Sequence, residues 1–118
     1  MQKADSFLIT CKQNYFEKVR PADIQSKARP GYIKLVEIAK EYFSNNEYEY
    51  FAGFFQEGQY FIELWAAHML LEYGRPNQKL ASFSLAIIKK YSHSQISPDV
   101  AEQETSWLQE NNAKYNVE

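Results

Sequence analysis

The chain of 118 residues has one cysteine, two histidines, four glycines and four prolines, and these scarcities close off several classes of protein. Cys11 has no second cysteine to pair with, so nothing in the sequence calls for an oxidising compartment. Gly31, Gly53, Gly58 and Gly74 stand singly, and no glycine-rich phosphate loop is present. His68 and His93 fall in no ligand spacing of the His-Glu-x-x-His kind. The apolar run Phe7-Leu8-Ile9 is far too short for a signal-peptide core or a membrane span. The expectation is a soluble, cytoplasmic protein with no membrane partner and no cofactor.

Excess charge is scarce too. A net charge of −2 argues against general affinity for nucleic acid, and the basic residues are not interleaved with aromatics as a base-stacking platform requires. No nucleic-acid partner is expected. The two parts of the chain nevertheless differ in sign: residues 1–40 carry eight Lys and Arg against four Asp and Glu, and residues 41–118 carry five against eleven. Such asymmetry accompanies a surface that meets a charged partner, and equally the ordinary composition of helix surfaces.

What the chain has in quantity is apolar and aromatic material, 45% and 16% of its residues, enough for one core in one domain spanning residues 1–118. The core is expected over about residues 5–110, with a polar tail at 111–118 that frays. The central segment is residues 59–74, which reads as a helix apolar nearly all the way round. Such a helix belongs in the middle of others, and Gly74 in a left-handed cap followed by Pro76 would end it.

Around it, helical periodicity and punctuation predict about six helices joined by short connections. The first, over residues 5–18, places Phe7, Leu8, Cys11 and Tyr15 on one stripe, with Asp5 or Ser6 as its cap. The second is clear after Pro30-Gly31, where Tyr32, Leu35, Val36, Ala39, Tyr42 and Phe43 recur at i, i+3, i+4 and i+7. Whether residues 21–29 form a separate turn stays open, because Pro30 disfavours helix at Arg29. A short aromatic-rich helix over 47–56 is chosen over a strand because Phe51, Phe54 and Phe55 fall at i, i+3 and i+4. After the central helix, Leu80, Phe83, Ser84, Ile87, Ile88 and Tyr91 form one face of a fifth. Ser97-Pro98-Asp99 then opens a sixth, with Val100, Glu104, Trp107 and Leu108 on one face. Connections this short favour antiparallel neighbours, so the expected fold is all-α, a stack of α-hairpins.

The stretch from Phe61 to Leu71, with Trp65-Ala66-Ala67 at its centre, and the helix that follows from Pro76 to Tyr91 resemble the second part of a HEAT or armadillo-type repeat unit. In its order of elements the whole chain is similar to the small bacterial single-domain HEAT-like family known as domain of unknown function 2019. That resemblance implies a fragment of a right-handed α-α superhelix whose use is binding, and it carries over no catalytic residue.

Two candidate sites follow from the residues. His68 lies one turn before Glu72, so imidazole and carboxylate can meet as a structural pair, half of a metal site or a general-base couple. Cys11, on an apolar stripe, reads as a small hydrophobe. The seventeen Phe and Tyr with Trp65 and Trp107 exceed what the core needs, so some lie near the surface. Glu47, Tyr48, Glu49, Tyr50, Glu57 and Tyr60 would then make an acidic aromatic rim, or cover core edges with their hydroxyls in water. The expected function is a non-catalytic protein-interaction module, of immunity or adaptor type, that binds a basic protein partner through that rim. The alternative is a small-molecule or metal-binding helical protein using His68 and Glu72. The oligomeric state is left open.

Overall fold

The computed structural model describes residues 2–115. Among these residues every regular element is helical, and the protein is all-α. The α-helices are α1 (Lys3–Glu17), α2 (Pro30–Ser44), α3 (Tyr48–Ala52), α4 (Ile62–Tyr73), α5 (Gln78–Ser92) and α6 (Pro98–Tyr115). A 3-10 turn, Ile24–Ala28, precedes α2, and a second, Gly53–Gln56, continues α3.

The central helix is α4, in which ten consecutive residues from Ile62 to Leu71 are buried. Trp65, Ala66, Met69 and Leu70 join Phe7, Cys11, Leu35 and Phe51 in one cluster, while Leu64, Ala67 and Leu71 join Ile87, Ile88, Val100 and Trp107 in another. The helix therefore separates two cores and belongs to both. It packs on α1, α2 and the second 3-10 turn on one side and on α5 on the other, while α5 also packs on α6.

The remaining elements follow from local chemistry. Pro30 takes the first position of α2, where its missing N–H costs nothing, and it holds Arg29 in extended backbone at φ −77° and ψ 143°. Residues 24–28 are consequently a separate 3-10 turn, opened by the Asp23 carboxylate, which accepts from Gln25 N–H. Asn77 caps α5 by accepting from Leu80 N–H at 2.9 Å. The sixth helix starts at Pro98, where the sequence signal lies.

Four expectations are corrected. First, α1 begins at Lys3 behind Gln2, with no side-chain cap, so neither Asp5 nor Ser6 caps it; Asp5 sits in the first turn, where its charge suits the helix dipole. Second, its buried stripe is Phe7, Thr10, Cys11 and Asn14, and Tyr15 is 38% exposed. The rotation comes from Asn14, whose amide donates to the Gly31 carbonyl at 3.2 Å where α1 meets α2. A Cβ on Gly31 would lie 1.9 Å from Asn14 Oδ1, so glycine permits this contact. Third, Gly74 is extended (φ −110°, ψ −176°) and not left-handed. Its reason is again proximity, because a Cβ there would meet Leu70 O at 3.0 Å and the Phe43 ring at 3.1 Å. The left-handed residues stand at the opposite end, Tyr60 and Phe61 (φ 54° and 59°), and they delay the start of α4 to Ile62.

The fourth correction concerns the tail. Helix α6 continues to Tyr115, whose ring stacks on Trp107 at 5.6 Å and whose hydroxyl donates to the Leu71 carbonyl at 2.8 Å. Two favourable contacts to buried groups outweigh the polarity of residues 111–115. The expectation of fraying at residues 116–118 lies outside the described residues.

Candidate functional site

Two places bear on function: a buried ionic cluster on α4, and the aromatic surface around α3.

Helical spacing brings His68 Nδ1 to 2.8 Å from Glu72 Oε2. The other ring nitrogen, Nε2, lies 2.6 Å from Glu104 Oε1 on α6. His68 and Glu104 have no solvent exposure, and the edge-on Trp107 ring covers the imidazole at 4.8 Å. Burial alone would lower the histidine's pKa, but the charge and hydrogen bond of Glu104, followed by those of Glu72, reverse this and raise it to about 9. His68 is therefore an imidazolium at neutral pH, donating from both nitrogens. Glu72 is shifted down: burial opposes the shift, and His68 and then Lys27, whose Nζ lies 3.4 Å from Glu72 Oε1, overcome it.

This arrangement determines the available chemistry. A metal ligand needs a lone pair on neutral imidazole, and both His68 nitrogens are spent on carboxylates. Among the described residues no group of three or more His, Cys, Asp and Glu is placed to hold a metal ion. Cys11 is fully buried, and burial pushes its thiol well above the ordinary range, so it stays protonated. His93 is exposed at the end of α5.

A groove of about 610 Å³ runs outside the cluster, lined by Asp23, Lys27, Glu72, Asp99, Glu102 and Glu110 among others. Much of its acidity is answered from within. Glu72 is paired with His68 and Lys27, Asp99 lies 4.0 Å from Arg20 Nε, and Asp23 caps the 3-10 turn.

The six rim residues are distributed rather than gathered. Glu47, Tyr50 and Glu57 line one groove of about 510 Å³, together with Lys3, which pairs with Glu47 at 2.7 Å. Tyr50 is 77% exposed, and Glu49 and Glu57 are exposed as well. Tyr48 is turned inward: its ring stacks on Phe43 at 4.9 Å, and its hydroxyl accepts from Arg75 N–H at 2.9 Å. Tyr60 lies in a different groove, against Tyr15 at 5.4 Å and Phe16 at 6.0 Å.

The residue missing from the candidate site was Glu104. Its signal was in the sequence, since it shares a face with Val100, Trp107 and Leu108, and a carboxylate on an apolar face must find a partner. The sequence could not say that the partner was His68, 36 residues away.

No family model, curated protein or solved structure matches the chain. The class that the fold defines is a small all-α protein, and among the described residues no helix is long and apolar enough to cross a membrane.

Proposed function

We propose that this protein is a non-catalytic interaction module that binds a basic protein partner in the cytoplasm through the acidic, aromatic surface of residues 47–57. The observation that carries the reading is Tyr50, which stands 77% exposed at the groove that holds Glu47 and Glu57, with exposed Glu49 next to it in the chain. A tyrosine so placed gives a partner rigid apolar area and a hydroxyl at low entropic cost, and the carboxylates around it select for lysine and arginine. The more acidic groove beside α6 is a weaker candidate because, among the described residues, no tyrosine lines it and two of its five carboxylates, Glu72 and Asp99, already face the protein's own cations. The role is of immunity type, covering a basic active site, or of adaptor type.

Sequential packing of α1 on α2, α4 on α5 and α5 on α6 supports a stack of α-hairpins, and a HEAT or armadillo-like superhelical arrangement is part of the proposal. The non-catalytic reading is supported by the sealing of His68 and Cys11 from solvent. The same sealing disfavours a small-molecule or metal site at His68 and Glu72.

Affinity capture from the native cell, comparing the unaltered protein with Tyr50→Ala combined with Glu49→Ala, tests the reading. A basic protein retained by the first and lost by the second is the expected result. Identical capture by both overturns it.

A further inference from the structure

The rim is adjoined by a surface of opposite character. Glu57 lines the rim groove, and the next residue, Gly58, lines a second groove of about 460 Å³ walled by Tyr15, Tyr60, Phe61, Tyr91 and Ile96. Among the described residues no aspartate or glutamate lines it. Cations instead stand against its rings. Lys12 Nζ lies 5.6 Å from the centre of Tyr60, and the Arg20 guanidinium lies 5.5 Å from that of Tyr15 and 5.0 Å from that of Phe61. Lys90 Nζ is 5.2 Å from Tyr91, but Glu63 accepts from it at 2.6 Å and from the Tyr91 hydroxyl at 2.8 Å. Arg20 is buried and faces Asp99 at 4.0 Å, so Lys12 carries the positive charge this groove offers a partner.

The border of this groove is apolar and open to solvent. Ile96 is 94% exposed, and Phe16, 67% exposed, lies 6.0 Å from Tyr60. A groove with aromatic walls, Lys12 against one of them and no carboxylate in its lining suits an aromatic side chain flanked by acids. The rim offers that chemistry in Tyr50, Glu49 and Glu57. Two adjoining patches of opposite character on one molecule permit a closed pair: a two-fold axis between them sets each patch against its complement in the other copy, and both contacts form at once.

We propose that the protein forms a reciprocal two-fold dimer, in which Tyr50 of each copy seats in the aromatic groove of the other and Glu49 and Glu57 face its Lys12. The inference rests on the rim being a binding surface for basic groups, and it places one such group, Lys12, on a second copy of this chain. The area removed from water is largely aromatic, so the contact persists at moderate salt. Its charged part weakens as salt screens the carboxylates from the lysine.

Sedimentation velocity of the full chain over a wide concentration range tests the proposal. The expected result is a monomer–dimer equilibrium whose dissociation constant rises with salt and rises at least about tenfold in Tyr50→Ala. Tyr50 is largely exposed, so that variant keeps the fold, which circular dichroism checks. Charge reversal supplies the specific readout. Lys12→Glu alone, and Glu49→Lys with Glu57→Lys alone, should each dimerise weakly, whereas an equimolar mixture of the two should form a heterodimer, because both of its contacts again join opposite charges. A chain that stays monomeric, an open-ended assembly, or a mixture that fails to pair overturns the dimer. If the chain is monomeric yet Tyr50→Ala with Glu49→Ala still loses a basic protein in the capture experiment, the rim reading stands and the dimer alone fails.

Discussion

His68 Nε2 and Glu104 Oε1 lie 2.6 Å apart with both side chains sealed from solvent, and this contact joins the central helix to the last one. The second oxygen of Glu104 is buried without a hydrogen-bond partner among the described residues, so the charge of this carboxylate rests on His68. Such a pair contributes little net stability when intact, because desolvation offsets attraction, but removing one member leaves the other charged and stranded. His68→Leu, which strands the buried Glu104, is therefore expected to cost about 3–5 kcal/mol in urea unfolding, and Glu104→Leu less, because His68 keeps Glu72 at 2.8 Å. The double variant His68→Leu with Glu104→Leu should cost less than the two single losses added together. An additive result would show that the two residues do not act as an ion pair.

The same cluster sets a pH dependence. The folded pKa of His68, about 9, lies above its ordinary value of 6.5, so its stabilising contribution is complete below about 6.5 and is lost as pH rises through about 9. Glu72 behaves oppositely: its pKa is lowered by the fold, so its contribution is present above its ordinary value of 4.5 and fades as pH falls through the lower folded value. Stability should form a plateau between these limits and decline on the alkaline side. Replacing His68 with leucine should flatten the alkaline decline, and the imidazole carbon shifts followed by NMR should report the titration. A histidine that titrates near 6.5 would contradict the buried imidazolium.

Two glycines predict opposite outcomes for the same substitution. Gly31→Ala puts a methyl group where Asn14 Oδ1 now sits, and a buried, hydrogen-bonded amide must move, at about 1–3 kcal/mol. Gly53→Ala meets nothing within 4 Å, and its backbone is already helical at φ −57° and ψ −27°. It should stabilise the fold by about 0.4–1 kcal/mol, because alanine has less freedom to lose on folding. Thermal melts of the two variants separate the effects.

Truncation after Glu110 tests the docked end of α6. It removes Tyr115 from Trp107 and from the Leu71 carbonyl, and it leaves one face of the indole open. A fall in melting temperature and a red shift of tryptophan emission are expected. Tyr115→Phe, which loses only the hydroxyl bond, should cost about 1 kcal/mol. No change on truncation would mean that the last turn contributes nothing to the core.

Much of the fold was legible because apolar period and punctuation are local signals. Pro30, Asn77 and Pro98 mark the starts of helices, and the unbroken apolar run through Trp65 and Leu71 requires burial on two sides. The errors came where a neighbour in space overruled the local preference. Asn14 displaced Tyr15 from the buried stripe of α1 because Gly31 offered it a carbonyl, and Gly74 is set by the Phe43 ring rather than by a left-handed cap. The candidate site was half legible, since the His68–Glu72 pair follows from helical spacing.

The sequence by itself determined the all-α class, the central position of α4 and the placing of a carboxylate on the apolar face of α6, because these depend on periodicity within a single segment. Only the tertiary structure decided that Glu104 meets His68, that Tyr48 turns inward while Tyr50 stands in solvent, and that an aromatic groove with Lys12 against it adjoins the acidic rim. Those are meetings between residues far apart in the chain, fixed by the packing of helices against one another, and no local pattern encodes which partners that packing will bring together.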